Sequence, residues 1–417
     1  MEARGVFGTS VVTAVTAQNT QGVRSQHVLP IEEIEAQLDA VNDDFELGAV
    51  KMGMLATRKI IEVMTVRARA WPVPVVVDPV MVAASGDRLL DEDAEDEYEY
   101  LIEHATLVTP NLDEAEILTG IEVEDEESAR EAGQALVEMG ANGALIKGGH
   151  LEGDRVTDVL VTEDDITTFV HPRIENAATH GSGCTLSSAI AADLATGADL
   201  ESAVRSGIEF MERAVRYHLD VGEGEGSVHH LADLRNRAGL PEAVDAVEDV
   251  VSDLVGAHAS PLVPEVGMNV ACVPPFAERP AEAAAVEGRI TRVEDGIRPN
   301  RGARVGASSH VARFLLAARE LDADLRCGAN CRYDDAVADA LDELDWTVAE
   351  FDREAQPEEI ETAEGNTMAW GTEQAFESVA ETPAAVGKEP MCRVIASDAE
   401  TLSERLLALL GAVESGD

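Results

Sequence analysis

Three apolar runs in the first half of the chain each end in a short polar segment that could bind phosphate or metal. The segments are Asp78-Pro79-Val80-Met81, Pro110-Asn111-Leu112-Asp113-Glu114 and Lys147-Gly148-Gly149-His150. The carboxyl ends of neighbouring parallel strands meet at one edge of an open sheet, and ligands collect there. A single Asp after a strand is often only a helix cap. Three such segments together predict a binding site at this edge.

A fourth segment, Gly181-Ser182-Gly183-Cys184, directly precedes an apolar helical stretch. Glycines at a helix start let backbone N–H groups converge on an anion, and the helix dipole favours negative charge there. This pattern predicts a phosphate site next to a reactive cysteine. The same dipole is expected to lower the pKa of the Cys184 thiol. The alternative is that Cys184 is only a small buried residue in a tight turn.

The elements that must position these segments have the alternating pattern of a parallel sheet flanked by helices. We predict strands at Ala49–Met52, Val73–Val77, Thr106–Thr109 and Gly143–Ile146 and a hairpin at Val156–Val170. Helices are predicted at Ile31–Val41, Thr57–Ala70, Leu112–Thr119, Glu127–Glu138, Thr185–Leu194 and Leu200–Tyr217. The first half is therefore expected to be a three-layer α/β/α domain.

A second, mixed α/β domain is predicted after a linker at 236–244, so that the domains span 1–235 and 245–417. Its predicted strands lie near Gly267–Cys272, Gly288–Val293, Asp345–Val348 and Cys392–Ile395. Its predicted helices are Ala243–His258, Ser309–Leu321 and Ala399–Val413. A chain of 417 residues is long enough for two such units.

A glycine- and arginine-rich stretch, Pro299–His310, opens a helix in this second domain. Its glycines expose backbone N–H groups, and Arg301 and Arg304 can form paired hydrogen bonds to phosphate. Further arginines lie close by in the sequence, at positions 289, 292 and 298. We predict a phosphate or pyrophosphate site here. The alternative is that these arginines only pair with neighbouring surface carboxylates.

The charge of the chain is extreme, with 81 acidic and 31 basic residues and a formal net charge of −50. Lysine occurs only at positions 51, 59, 147 and 388. Hydrophobic residues still make up 45% of the chain, which a disordered acidic protein would lack. We infer a folded protein with a carboxylate-coated surface in a salt-rich, halophilic cytoplasm. Nucleic acid is excluded as a partner because it would be repelled.

Membrane spans and disulfides are not expected. No apolar run approaches the roughly 18 residues of a transmembrane helix, and the first residues do not resemble a signal peptide. Five scattered cysteines do not form the pattern of a disulfide framework. Cys327 and Cys331 have the spacing of half a metal site but lack a second pair, so we interpret them, with Cys392, as structural thiols.

Taken together, the motifs of the first half resemble hydroxymethylpyrimidine kinases of the ribokinase-like fold. The resemblance covers about residues 4–233 and also includes Gln18-Asn19-Thr20-Gln21-Gly22 and Lys51-Met52-Gly53-Met54-Leu55. It implies ATP-dependent phosphorylation of hydroxymethylpyrimidine and its monophosphate. Sugar kinases of this fold usually carry Asp where Cys184 stands, which favours a pyrimidine or pyridoxal-type substrate.

The resemblance also implies individual roles. The residues concerned are Gln18, Met54 and Val80 for the pyrimidine pocket, Asp78 and Glu114 for Mg²⁺, and Asn111 and Lys147 for ATP. The amides of Gly181, Ser182 and Gly183 would stabilise the transferring phosphoryl group. Cys184 would act as the base on the substrate hydroxymethyl group.

Members of this family begin with a strand and a Gly/Ser/Asp-rich turn ahead of the region that matches Gly5–Phe7, and both are missing here. A missing first strand would leave a sheet edge unpaired. We therefore expect the natural start to lie upstream of Met1. The alternative is a truncated and damaged kinase.

The second half resembles the archaeal-type thiamine-phosphate synthase domain over about residues 245–413. The matching segments are Pro264–Asn269, Glu287–Ile290, Arg304–His310, Cys327–Asn330 and Glu364–Met368. This resemblance implies that Arg289 and His310 are the catalytic pair. The implied reaction joins hydroxymethylpyrimidine diphosphate to thiazole phosphate and releases pyrophosphate. Arg289 would neutralise the leaving pyrophosphate, and His310 would donate a hydrogen bond or proton to it.

Three functions are compatible with the sequence. The first is a bifunctional enzyme of thiamine biosynthesis that acts on small molecules. The second is a thiamine-phosphate-sensing regulator, which would require a basic DNA-binding motif that this chain lacks. The third is a pyridoxal-type salvage kinase with a C-terminal binding module. The oligomeric state stays open, a homo-oligomer included.

Overall fold

The computed structural model describes residues 1–82, 89–150, 153–174, 180–224, 226–344, 346–350, 366–379, 382–388 and 391–416. Two compact units divide the chain, Met1–Asp233 and Leu234–Asp417. Glu364 and Gly365, which belong to the synthase-like pattern, lie outside the described residues, as does Asp345.

The first unit alternates strands and helices as its hydrophobic pattern predicts. Its strands are β1 (Ala14–Asn19), β2 (Gly22–Val28), β3 (Val50–Met52), β4 (Val75–Val77), β5 (Leu107–Val108), β6 (Gly143–Ile146), β7 (Arg155–Thr162) and β8 (Ile166–Pro172). Its helices are α1 (Ile31–Asp44), α2 (Arg58–Ala70), α3 (Tyr98–Ile102), α4 (Leu112–Thr119), α5 (Glu126–Glu138), α6 (Ser182–Ala195) and α7 (Leu200–Arg216).

Six of these strands form one sheet in the order β3-β4-β5-β6-β7-β8, in which β3 to β6 are parallel and β7 and β8 antiparallel. Side chains of a strand alternate between the two faces, and both faces are apolar here. Val75 and Val77 pack into a core with α1 and α2, whereas Val76 packs into a second core with α6 and α7. The unit therefore has three layers, and the parallel strands end at one shared edge.

The second unit begins with two helices, α8 (Ala232–Ala238) and α9 (Leu240–Gly256), of which α8 starts just before the unit boundary. Its strands are β9 (Val270–Cys272), β10 (Ala284–Val286), β11 (Ile290–Val293), β12 (Gly296–Pro299), β13 (Ala303–Val305), β14 (Cys327–Arg332), β15 (Val348–Glu350), β16 (Ala385–Lys388) and β17 (Met391–Ala396). Its further helices are α10 (His310–Leu321), α11 (Asp335–Glu343), α12 (Asn366–Glu377) and α13 (Ala399–Gly416).

Seven strands of this unit form a mostly antiparallel sheet in the order β13-β10-β9-β14-β17-β16-β15, and β11 and β12 form a separate hairpin. One face of the sheet packs against α9, α11 and α13, and the other packs against α10 and α12. The short strands β10 and β13 are antiparallel neighbours, with Ala285 opposite Arg304. This pairing brings the Arg304 segment next to residues 287–289, which follow β10.

The predicted fold class is confirmed in both halves, but several boundaries differ. Residues 236–244, expected to be a linker, lie mostly in α8 and α9. The hairpin of β1 and β2 was not predicted. Among the described residues, no helix combines the length and the apolar character needed to cross a membrane.

Candidate active site

The shared edge of the parallel strands brings the predicted polar segments together. Asp78 follows β4, Asn111 follows β5 and Lys147 follows β6. Asn111 and Lys147 form an isolated parallel bridge, and the Lys147 N–H donates to the carbonyl of Pro110 over 3.0 Å. The sheet ladder therefore continues into the loops and fixes where the three side chains start.

Asp78 is the centre of a buried cluster and is only 2% exposed. Lys147 Nζ lies 3.1 Å from its Oδ1, and Lys51 Nζ lies 3.3 Å from its Oδ2. The hydroxyls of Thr109 and Ser187 donate to the same carboxylate over 3.2 and 3.1 Å. Burial alone would raise the pKa of Asp78, but the two ammonium groups outweigh it and hold this pKa below its usual range. We call these five residues the Asp78 cluster.

Two of the chain's four lysines thus share one carboxylate. Buried ammonium groups are costly unless they are paired, and this acidic chain uses lysine very sparingly. Placing both here concentrates positive charge at the strand edge. Such an arrangement suits the binding of a polyanion such as a nucleotide phosphate chain.

Glu114 borders this cluster from the first turn of α4. Its side chain accepts the Asn111 N–H over 2.8 Å, and the Asn111 side chain accepts the Glu114 N–H over 2.8 Å, which is a complete capping box. Lys147 Nζ lies 4.0 Å from Glu114. Burial raises the pKa of Glu114, and Lys147 and the Asn111 N–H oppose that shift only in part. Asn111, expected on the nucleotide side, therefore uses its side chain to start α4.

The Gly181–Cys184 segment forms the start of α6 in a way that leaves its amides available. Gly181 is the N-cap with φ 78°, a left-handed conformation that favours glycine, and no side-chain oxygen caps the helix. Lys147 Nζ lies only 3.1 Å from where a Cβ on residue 183 would stand. The N-terminus of α6 and a lysine ammonium group therefore face the same small volume, which is a favourable environment for phosphate.

Cys184 is solvent-accessible, yet the protein around it shapes its acidity. Partial desolvation raises the pKa of its thiol, Lys51 and Lys147 lower it, and Asp78 raises it again. The net shift is upward. The expectation that the pKa of this thiol is lowered is therefore wrong in sign, because desolvation and the nearby Asp78 carboxylate outweigh the two lysines.

The three residues expected to line a pyrimidine pocket lie on segments around this edge. Met54 and Val80 are half-buried and follow the adjacent strands β3 and β4. Gln18 is exposed on β1, with its Nε2 at 3.5 Å from His180 Nε2. The β1–β2 hairpin is tied to the same side of the unit, since Gln21 Nε2 donates to Glu223 over 3.0 Å.

The carboxylates here do not form a preassembled metal site. Both oxygens of Asp78 are already in contact with lysines or hydroxyls. Within the described part of the chain, no group of three or more His, Cys, Asp or Glu side chains could hold a metal. Mg²⁺ prefers one or two carboxylates plus phosphate oxygens and water. The residues fit a Mg²⁺ that arrives with a nucleotide better than a resident ion.

In the second unit, the exposed Arg301 and Arg304 contact Glu287, and the exposed Arg289 follows Glu287 by two residues; we call these four residues the arginine cluster. Arg304 and Arg301 contact Glu287 Oε1 at 3.2 and 3.4 Å. The guanidinium of Arg289 donates to the carbonyl of Val266, and its backbone has φ 74°, which is rare for a residue with a side chain. The hydrogen bond to Arg304 is the main reason that the pKa of Glu287 is lowered.

His310 is the first residue of α10 and is exposed. The structure does not bring it into a described contact with Arg289, its expected catalytic partner. Of the neighbouring arginines, Arg292 instead donates through Nε to the carbonyl of Val263 over 2.9 Å. Arg301 and Arg304 are thus brought together, whereas His310 and Arg292 are not part of the same contacts.

The cysteines of the second unit correct the sequence interpretation. Cys272 and Cys327, which are paired across β9 and β14, form a disulfide. The expectation of free structural thiols is therefore wrong for Cys327. Cys331 and Cys392 are also a cross-strand pair, on β14 and β17, and they remain buried thiols. Spacing along the chain could not reveal these pairs, because each joins distant strands.

Sequence reasoning assigned no role to Lys51, Thr109 or Ser187, although all three contact Asp78. A signal for Lys51 did exist, since lysine is rare in this chain and this one lies within a predicted strand. Thr109 and Ser187 gave no comparable signal, because hydroxyl residues are common at strand ends and in helices.

Comparison with known proteins gives two matches along the chain. Residues 1–229 match the family model for phosphomethylpyrimidine kinase, and residues 246–408 match the model for thiamine-phosphate synthase ThiN. A hydroxymethylpyrimidine/phosphomethylpyrimidine kinase of Rhizobium meliloti is 44% identical over 233 residues, covering 55% of this chain and 87% of the relative. The enzyme of the same name from Haemophilus influenzae is 42% identical over 235 residues, with the same coverage of both chains.

Solved structures confirm the ribokinase-like class of the first half. An ADP complex of Bacillus subtilis pyridoxal kinase is 29% identical, with a TM-score of 0.53, and covers 56% of this chain and 90% of its own. Staphylococcus aureus pyridoxal kinase in complex with AMP-PCP is 29% identical with a TM-score of 0.51. It covers 55% of this chain and 84% of its own.

Proposed function

Because the chain belongs to the phosphomethylpyrimidine kinase family, we propose that residues 1–235 phosphorylate hydroxymethylpyrimidine and its monophosphate with ATP. The observation that carries this proposal is the Asp78 cluster beside the uncapped start of α6. Two ammonium groups and a helix N-terminus converge there, which is what a transferring phosphoryl group requires.

In the proposed reaction, the hydroxyl oxygen of the substrate attacks the γ-phosphorus of ATP, and Cys184 accepts the proton of that hydroxyl group. A new P–O bond forms to the substrate, the bond to the β-phosphate oxygen breaks, and ADP leaves. The amides of Gly181, Ser182 and Gly183 and the ammonium of Lys147 stabilise the transferring group. Asp78 fixes Lys147 through their 3.1 Å contact, so the ammonium group is in place before the substrate binds.

The substrates are bound from opposite sides in this proposal. Gln18, Met54 and Val80 contact the pyrimidine. Mg²⁺ enters with ATP as part of the substrate, and Asp78 and Glu114 are the two carboxylates at this edge that would hold it. Asn111 lies on the nucleotide side, where the oxygen of its side chain caps α4.

We further propose that residues 245–417 join the pyrimidine diphosphate to thiazole phosphate and release pyrophosphate. The match to the thiamine-phosphate synthase model over residues 246–408 supports this step. Arg289, Arg301 and Arg304 bind the departing pyrophosphate, and His310 donates a hydrogen bond or proton to it. The bond from the pyrimidine methylene carbon to the diphosphate oxygen breaks, and a bond to the thiazole nitrogen forms.

The protein would work as a bifunctional enzyme of thiamine biosynthesis in a salt-rich cytoplasm. Its net charge of −50 requires counter-ions to screen the self-repulsion of the folded surface. We therefore expect full activity only at high salt.

The test is hydroxymethylpyrimidine-dependent ADP release in molar KCl with Mg²⁺, alongside pyrophosphate release from the pyrimidine diphosphate and thiazole phosphate. Cys184→Ala should abolish the first reaction and leave the second intact, and His310→Ala should do the reverse. Each variant is thus the control for the other. If the folded wild-type chain released no ADP with hydroxymethylpyrimidine but did so with pyridoxal, pyridoxal would replace the pyrimidine as the proposed substrate.

A further inference from the structure

Asp158 is a carboxylate in an unusual place, the interior of the apolar strand β7. It lies directly before Val159, Leu160 and Val161, all of which are buried in the core, and it is itself only 5% exposed. Burying a carboxylate is costly unless its oxygens are hydrogen-bonded. The buried carboxylate of Asp158 therefore requires hydrogen-bond donors.

Its first partner is the backbone of the loop that carries Lys147. Asp158 Oδ1 accepts the Gly148 N–H over 2.8 Å in a buried setting. A Cβ at position 148 would lie 1.9 Å from the carbonyl oxygen of Thr157, so residue 148 must be glycine for this close approach. The peptide that joins Lys147 to Gly148 is thus held against β7.

The hairpin of β7 and β8 also holds the same loop farther along the chain. Arg173, just after β8, donates through Nη1 to the carbonyl of Gly149 over 2.8 Å and through Nε to that of Gly153 over 2.7 Å. Two hairpin side chains, one acidic and one basic, therefore fix two peptides of the loop after Lys147, the one before Gly148 and the one after Gly149. Lys147 itself reaches back to Asp78.

A third contact fixes Asp158 in turn. His171 on β8 lies with Nε2 at 3.3 Å from Asp158 Oδ2 and with Nδ1 at 3.6 Å from Glu212 on α7. The imidazole therefore bridges the strand to a helix of the neighbouring layer. This bridge leaves Oδ1 of Asp158 directed at the Gly148 N–H.

We propose that Asp158 is a positioning residue for phosphoryl transfer, which holds Lys147 at the nucleotide phosphates by fixing the Gly148 peptide. This inference rests on the proposed kinase function. Asp158 touches neither Asp78 nor any residue of the pyrimidine side. Its loss should therefore weaken ATP binding while the KM for hydroxymethylpyrimidine stays nearly constant.

The experiment compares Asp158→Ala and Asp158→Leu with Asp158→Asn in the full-length chain in molar KCl. Alanine and leucine lack the acceptor, and leucine also fills the apolar site should alanine fail to fold. Both should weaken ATP binding about tenfold, because a buried N–H loses its charged acceptor. Asparagine keeps an acceptor oxygen and should stay within about threefold of wild type.

Thr168→Ala is the matched control in the same hairpin. Thr168 hydrogen-bonds Glu126 and Arg130 on α5 rather than the Lys147 loop. Its loss should lower thermal stability without changing ATP affinity. The readouts are ATP affinity by calorimetry, the KM values of both substrates, and thermal unfolding.

The inference is overturned if the leucine variant binds ATP within twofold of wild type, or if both KM values rise together. Calorimetry separates this result from failure of the proposed function. If the wild-type chain binds ATP but does not phosphorylate the pyrimidine, the proposed function is wrong. The ATP affinities of the variants then still decide the role of Asp158. A wild-type chain that does not bind ATP overturns both.

Discussion

The Asp78 cluster and the arginine cluster both gather positive charge in a strongly acidic chain, but they hold it differently. In the first unit, two lysines contact one carboxylate that is 2% exposed, and hydroxyls occupy its remaining positions. In the second unit, the exposed Arg301 and Arg304 share the half-buried Glu287 at 3.4 and 3.2 Å. Buried pairs are rigid and costly to break, whereas exposed pairs exchange partners readily.

The difference indicates that the two units bind phosphate in different ways. The lysines of the first unit are fixed before any substrate arrives, which suits a reaction whose rate depends on preorganised charge. The arginines of the second unit can leave Glu287 and turn to an anion at little cost. This suits a site that must bind and then release pyrophosphate.

The largest effect should follow from Lys147→Met. The substitution leaves buried Asp78 with one cation, so we expect a loss of about 3 kcal/mol in the free energy of unfolding. Phosphoryl transfer should also lose a group that stabilises transferring charge, lowering kcat/KM about 10³-fold. Denaturant titration and ADP release in molar KCl measure the two effects.

Lys59→Met is the matched control, because it removes the same side chain from an exposed position on α2. It should change neither quantity beyond error. If Lys147→Met and Lys59→Met gave the same results in both assays, the Asp78 cluster would not be a fixed site. The contrast with the exchangeable arginine cluster would then be lost.

A smaller but diagnostic effect concerns pH. The pKa of Cys184 is raised, so the thiol is protonated at neutral pH and becomes thiolate only as pH rises. If the thiolate is the base, kcat/KM for ADP release should increase about tenfold per pH unit below that pKa. Arginine keeps its charge over this range, so the arginine cluster adds no such slope to pyrophosphate release. A flat profile for the kinase reaction would exclude Cys184 as the base.

The smallest effect is expected from Glu287→Gln. Removing the shared carboxylate frees Arg301 and Arg304, and pyrophosphate should bind about two- to threefold tighter, more visibly at lower salt. Glu294→Gln, which removes one exposed negative charge from the β11–β12 turn, controls for net charge. Weaker pyrophosphate binding in the Glu287 variant would mean that this carboxylate orients the arginines rather than occupying them.

The fold could be predicted from the sequence where hydrophobic periodicity is strong. Gly143–Ile146 and Leu112–Thr119 were predicted to the residue, because each apolar run ends at a clear polar or glycine signal. The hairpin of β1 and β2 was missed because its strands are mostly exposed and carry few apolar residues. The strands β10 and β13 were missed for a different reason, because each has only three residues and their pairing depends on the tertiary fold.

The candidate site could be predicted only at the level of segments. The strand-end rule correctly anticipated that Asp78, Asn111 and Lys147 would share one edge, since parallel topology requires it. It could not show that the Asn111 side chain caps α4, that Lys51 completes the Asp78 cluster, or that Asp158 reaches the Gly148 peptide. These contacts depend on side-chain direction across neighbouring elements.

The scarcity of lysine gives the Asp78 cluster a consequence for covalent chemistry. Of the three lysines whose side chains the structure describes, Lys51 and Lys147 lie at the cluster with 10% and 15% of their side chains accessible, and Lys59 is exposed. An amine-selective reagent will thus acylate Lys59 at once and the clustered pair slowly. The acylation rate at Lys147, measured by mass spectrometry relative to that at Lys59, therefore reports whether a phosphate compound occupies the Asp78 cluster.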